Sequence, residues 1–327
     1  YQDSVRLYAG LADQFPHEPV HRQKLSETLR DQAKLQSNVG RLKEATATLG
    51  RSIDIAEKAI NEDPDQPNHG RALAAALLNL AGVETARGAY EQAGKSAARA
   101  AQLFRELIAL PAGPGRHGYD PVLLAAALNI QAVAERECGR LDAAIEMHKE
   151  PVKTLFDLTV KTPSGVNRED VAHFHSACQL ERSRSWMGKA EAKWRQAAEK
   201  GLAGSIETWE ALAKKFPRVP MYRDSLGAAY QLRGQLRAAP KRDEELADEF
   251  AKRLAAARND FAVSQRFLEE RVQESPEMPG SRGDLGRTYF QQGRLALAQN
   301  DPAAAAACFN KAAEALTKAR AQSPDSA

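Results

Sequence analysis

Little in this chain could build a β-sheet. Aromatic residues make up 6%, and runs of Val, Ile and Thr at alternating spacing are missing, which excludes sandwiches and barrels and leaves an all-helical fold. Cysteine is scarce as well. The three present, Cys138, Cys178 and Cys308, are far apart, odd in number and set in helical sequence. They read as reduced thiols packed as small residues, not as a disulfide framework. No stretch of about 18 apolar residues occurs and no charged-then-apolar leader opens the chain, so the segment is expected neither to span a membrane nor to carry its own export signal. A formal charge of +3 over 327 residues is too small to imply a nucleic-acid surface unless Lys and Arg cluster.

Proline is present, and in pairs: Pro16/Pro19, Pro64/Pro67, Pro111/Pro114, Pro217/Pro220 and Pro276/Pro279, each three residues apart. One fixed step forward from the first proline of a pair reaches Gly40, Gly88, Lys241 and Asn300, all at helix-breaking positions, and the third copy reaches Gly139 after a short insertion. Pro163, at nearly the same distance before Gly188, marks a further copy. Self-similarity at this period predicts a solenoid, in which each unit buries its apolar face against its neighbours. Pro-x-x-Pro ends one helix and starts the next, because proline fixes φ, lacks a donor and disfavours helix before it.

Within each unit the spacing predicts a first helix, a tight turn and a second helix. Leu25, Leu29 and Ala33 form one stripe, and Leu42, Ala45, Leu49 and Ile53 the facing one. The second unit repeats this with Leu73, Leu77 and Leu80, then Tyr90, Ala93, Ala97 and Ala100. The third has Leu124, Leu128 and Ala132, then Leu141, Ala144 and Ile145. Val5, Tyr8, Leu11, Ala12 and Phe15 read as the second helix of an earlier unit. The expected organisation is one array: that helix over 1–15, then units 16–63, 64–110, 111–162, 163–216, 217–275 and 276–322.

Tyr289, Gly293, Ala296, the turn at Asn300, then Ala305, Phe309 and Ala312 resemble the tetratricopeptide repeat pattern of large, small, large, turn, small, large, small. The resemblance extends along the chain, in units longer than the usual about 34 residues. It implies a right-handed α-solenoid of antiparallel helical hairpins that acts as a non-catalytic scaffold, holds a protein or peptide in its concave groove and needs no cofactor. The phrase Phe-Pro-x-x-Pro-x-x-Arg, at Phe15 to Arg22 and Phe216 to Arg223, is similar to helical regions C-terminal to planctomycete-type bacterial Ser/Thr protein kinases. That likeness implies a kinase domain upstream in a membrane-anchored parent, while reduced cysteines favour the cytoplasm. The kinase signatures themselves are missing from this segment.

Candidate chemistry is thin. Gly113, Gly115 and Gly118 spell G-x-G-x-x-G, but the triplet follows a helix, contains Pro114 and has no strand before it, which fits an inter-unit loop better than a phosphate cradle. His173, His175 and Cys178 are the compact metal-capable set. Residues two apart point to nearly opposite sides of a helix, so the two imidazoles cannot share an ion, and no metal site is expected. No serine or cysteine has a nucleophile elbow.

The groove is the expected site. The last unit's alignment, transferred backwards, places Arg30, Lys34, Asn129, Arg136, Arg182, Gln231, Gln235, Arg287 and Arg294 near the concave side. The set is mostly basic, diluted by Glu27 and Glu137, and would select an acidic peptide unless it is only a solvated face. Asn79 and Asn129 sit at nearly matching places and could clamp a peptide backbone. From Lys214 to Arg242 eight basic residues face one acidic, Asp224, before Asp243, Glu244, Glu245, Asp248 and Glu249 reverse the sign. Pairing within the chain accounts for that run. An RNA-binding helical repeat is the rival reading, though only Phe216, Tyr222 and Tyr230 interleave with these charges.

Overall fold

A computed structural model describes residues 1–15, 17–111, 117–189, 191–241 and 245–323. Every regular element among them is an α-helix. Pro16, Gly113, Pro114, Gly115, Arg242, Asp243 and Glu244 lie outside the described residues.

The described residues divide into two compact units, 1–178 and 179–323. The first contains α1 (Gln2–Gln14), α2 (Pro19–Asn38), α3 (Leu42–Glu62), α4 (Pro67–Ala86), α5 (Tyr90–Ala109), α6 (Asp120–Glu137), α7 (Leu141–Met147) and α8 (Lys149–Val160). The boundary falls inside α9 (Arg168–Met187). The second unit continues with α10 (Ala192–Lys215), α11 (Pro220–Arg237), α12 (Ala247–Glu274), α13 (Pro279–Ala298) and α14 (Pro302–Gln322). Consecutive helices pack as antiparallel hairpins, α2 on α3, α4 on α5, α11 on α12 and α13 on α14.

The proline rule holds at the residue level. Pro19, Pro67, Pro220 and Pro279 are the first residues of α2, α4, α11 and α13, where a missing N–H costs no intrahelical bond. The turns are equally regular. Gly40, Gly88 and Gly139 have φ of 79°, 72° and 82°, and Asn300 takes 57°. Each is followed by a residue whose N–H reaches back five positions: Arg41 to Gln36 O, Ala89 to Glu84 O, Arg140 to Glu135 O and Asp301 to Ala296 O, at 2.8–3.0 Å. That is the Schellman closure, which satisfies the last helical carbonyls and needs a left-handed residue.

A common frame follows. Ala33, Ala81, Ala132, Ser185, Gly234 and Gly293 are all buried on first helices. Pro19, Pro67, Pro220 and Pro279 precede Ala33, Ala81, Gly234 and Gly293 by one constant interval. At a second constant interval, Leu49, Ala97 and Phe309 follow Ala33, Ala81 and Gly293 on the facing helices, and His148 follows Ala132. The small member lets the helices approach: a Cβ on Gly293 would meet the Phe309 ring at 2.6 Å, and one on Gly234 the Phe261 ring at 2.6 Å. Leu29, Leu49, Phe104, Leu155, Leu202 and Trp209 are fully buried, and truncating such a leucine to alanine costs about 2–5 kcal/mol.

The third hairpin departs from the expected single second helix. Pro151 has no N–H to give to the preceding turn, and the helix breaks at His148 into α7 and α8.

Candidate functional site

In the first unit α4 packs on α2 and on α6 as well as on α3 and α5, while α3 and α5 have no comparable packing on each other. First helices therefore form the inner row and second helices the outer one. In the second unit α11 and α13 pack on one another in the same way.

Glu27, Arg30, Asp31 and Lys34 share the free face of α2. Glu27 accepts from Lys24 at 2.7 Å and Gln23 at 2.9 Å. Burial resists its ionisation, but those bonds and the charges of Lys24 and Arg30 prevail and hold its carboxyl below the usual range. Burial also pushes the Arg30 guanidinium down, against the opposing charges of Glu27 and Asp31. The matching positions on α4 are Ala75, Leu78, Asn79 and Gly82, and on α6 Ala126, Asn129, Ile130 and Val133, with Arg136 one turn on. Arg136 donates through Nε and Nη2 to Glu137 at 3.0 and 2.8 Å, and its side chain is 9% exposed. The first unit's inner face is thus uncharged at α4, with its cations among carboxylates on α2 and α6. Of the expected basic set only Lys34 stands exposed there. Asn129 keeps a buried Oδ1 without a partner; Asn79 is exposed.

In the second unit Arg182 lies 4.4 Å over the Trp186 ring, which stacks on Trp194, and burial pushes its guanidinium down. Gln231 is buried. Its amide donates to Thr288 Oγ1 at 2.8 Å and Asp284 O at 3.2 Å, so it ties α11 to α13 instead of facing a ligand. Arg287 is exposed and ion-paired with Asp284 at 2.6 Å.

Gln235 and Arg294, far apart in sequence, meet in a cleft of about 340 Å³ with Gln291, Phe250, Pro240 and Leu295. Among the described residues, none of those lining it is acidic. Arg253 fixes one side: it donates to Arg237 O and, at 2.7 Å, to Ala239 O, and it pairs with Glu245 at 2.8 Å. Gln291 and Phe250 are not marked by the sequence pattern: Gln291 falls between the transferred positions Arg287 and Arg294, and the long loop before α12 hides the register of Phe250.

Three members of the basic run after Lys214 are paired within the chain, while Lys214, Lys215, Arg218 and Lys241 are exposed. Arg233 and Arg237 both bind the fully buried Asp260, at 2.7 and 3.0 Å. Arg223 reaches Glu274 at 2.8 Å. Its counterpart Arg22 pairs with Glu62, so the Phe-Pro-x-x-Pro-x-x-Arg phrase ties the start of a first helix to the end of its second. The partners are mostly not the acidic run expected from sequence.

His173 and Cys178 are buried, and His175 lies beside Phe156 at 6.1 Å between ring centres. Burial pushes both imidazoles down, with Asp170 opposing at His173. Among the described residues no three His, Cys, Asp or Glu side chains converge as a metal site. Gly118, the described member of the glycine motif, packs under Val166, whose Cγ2 a Cβ would meet at 2.9 Å. Among the described residues no helix is long and apolar enough to cross a membrane.

No family model matches this sequence, and no curated protein does. Solved structures do. BtubC (BKLC) from P. vanneervenii superposes with a TM-score of 0.54 at 18% identity, over 84% of this chain and 91% of that one. The apo form of RapI gives 0.49 at 12%, over 90% and 99%. A putative kinesin light chain with TPR-like repeats from Podosopora anserina gives 0.44 at 20%, over 75% and 98%. Likeness at this identity concerns the fold. The fold is all-α, of stacked antiparallel helical hairpins, and BtubC shares it.

Proposed function

We propose that this chain is a non-catalytic scaffold whose inner helix rows hold a peptide or protein, with an acidic group of the partner received at Gln235, Gln291 and Arg294. The observation that carries the reading is the cleft itself. It pairs an exposed arginine, without an ion-pair partner among the described residues, with two amides and an aromatic wall. A guanidinium flanked by amide donors suits a carboxylate, and Phe250 offers apolar area beside it. Arg136, Arg182 and Gln231 are committed within the chain and support the frame rather than the ligand.

The test is affinity capture from native lysate with the chain and its Arg294→Glu variant as paired baits, washed at low and high salt. A defined protein held by the first and lost from the second supports the proposal. Capture of salt-labile RNA alone overturns it in favour of the nucleic-acid reading. We extend the proposal to attachment, as the interaction arm of a bacterial Ser/Thr kinase, on the likeness of the Phe-Pro-x-x-Pro-x-x-Arg phrase. The DNA preceding the Tyr1 codon decides it: a reading frame with a lysine-bearing strand, a His-Arg-Asp loop and an Asp-Phe-Gly triplet supports attachment, and its absence removes it.

A further inference from the structure

The junction between α4 and α6 is closed by an ion pair. Arg71 donates through Nε and Nη2 to the two oxygens of Asp120, both at 2.9 Å, and Asp120 is fully buried. Arg71 is placed in the common frame by Ala81, and Asp120 by Ala132. The same two positions at the junction of α2 and α4, counted from Ala33 and Ala81, hold Gln23 and His69. Gln23 turns away to Glu27 at 2.9 Å, and His69 keeps a buried Nδ1 with no partner.

The floor differs as well. Beneath the α4–α6 junction α5 supplies Phe104 and Leu107, both buried. At the equivalent places α3 supplies Ala56 and Ala59. Bridge and floor are both reduced, and a cleft of about 260 Å³ opens, lined by these alanines, Ala72, His69, Glu62 and Asp63 among others. Its formal charge is negative. Glu62 and Asp63 outnumber Arg22, which is already paired with Glu62.

We infer that this cleft binds an arginine side chain of a partner, seated between α2 and α4 as the chain's own Arg71 is seated between α4 and α6. The aliphatic stem lies on Ala56, Ala59 and Ala72. The guanidinium donates to His69 Nδ1, the acceptor of a neutral imidazole, and to the Asp63 carboxylate. The site belongs to the first unit and does not depend on the carboxylate cleft of the second.

The experiment titrates the acetylated, amidated tripeptide Ala-Arg-Ala into the isotope-labelled full chain and follows backbone amide shifts, with Ala-norleucine-Ala and Ala-Glu-Ala as controls. Saturable shifts at Ala56, Ala59, His69 and Ala72 with the arginine peptide alone are expected. Ala59→Leu, which restores the side chain that α5 carries, abolishes them, and His69→Asp, which restores the carboxylate of Asp120, tightens binding about tenfold. Arg294→Glu leaves them unchanged, so this inference and the proposed carboxylate cleft fail separately. Equal shifts with norleucine, shifts scattered over surface carboxylates, or binding that survives Ala59→Leu would overturn it.

Discussion

Arg71 and Asp120 face each other fork to fork, Nε to Oδ1 and Nη2 to Oδ2 at 2.9 Å each, with the carboxylate fully buried and the guanidinium side chain 18% exposed. The pair ties successive first helices of the inner row. A buried charge that loses its partner stays desolvated, so Arg71→Ala is expected to cost about 3–5 kcal/mol. Replacing both residues with leucine or methionine is expected to restore most of that loss, since the buried site then holds no charge. Urea melts of the two variants check the contrast, and equal losses would refute the account.

The bare faces of Gly234 and Gly293 against Phe261 and Phe309 predict a second contrast. Gly293→Ala forces a Cβ to 2.6 Å from the ring, and overpacking of this kind costs about 1–3 kcal/mol despite alanine's better helix propensity. Combining it with Phe309→Leu is expected to recover part of the loss, as thermal melts of the single and double variants will show. Gly70→Ala serves as control, because a Cβ there meets nothing within 4 Å, and its helix is expected to gain a few tenths of a kcal/mol or more.

His173 and His175 predict the direction of an acid effect. Burial depresses both folded imidazoles, so the unfolded chain takes up its protons first. The stability they provide is present above the ordinary imidazole range, about pH 6.5, and is lost as pH falls through their lower folded values. Thermal melts from neutral to mildly acidic pH are expected to show a falling Tm, with a flatter slope in His175→Phe. An unchanged slope in that variant would show that His175 does not titrate in this window.

Gln23→Arg combined with His69→Asp is expected to copy the Arg71–Asp120 bridge into the α2–α4 junction. Tm should then rise by roughly a few degrees, and the arginine peptide should lose its seat. A double variant that melts lower than the parent would show that the two junctions are not equivalent.

Much of the fold is legible in the sequence because its signals are local. Pro19, Pro67, Pro220 and Pro279 each open a helix, and Gly40, Gly88, Gly139 and Asn300 close one, each through its own backbone chemistry. The break at His148 is also encoded locally, in Pro151, but an apolar pattern that continues across it masks the signal. The candidate site is less legible. Arg30, Arg136 and Gln231 occupy suitable helical positions, yet what each does depends on neighbours: Asp31, Glu137 and, 57 residues away, Thr288. The contact between Gly234 and Phe261 is hidden because much more chain separates them than lies between Gly293 and Phe309.

That longer span has a further consequence. Phe261 and Phe309 stand equally far from the last residues of their helices, Glu274 and Gln322. At the other end α12 begins at Ala247, twice as far before Phe261 as Pro302 lies before Phe309. The fifth hairpin has thus grown by about two turns at the start of its second helix, on the side away from the glycine contact. Those added turns carry Phe250 and Arg253, one a wall of the cleft at Arg294 and the other the clasp on Arg237 O at the end of α11 and on Ala239 O just past it. A repeat can therefore gain a cleft wall at one end of a helix while its packing frame, fixed from the other end, stays as it was.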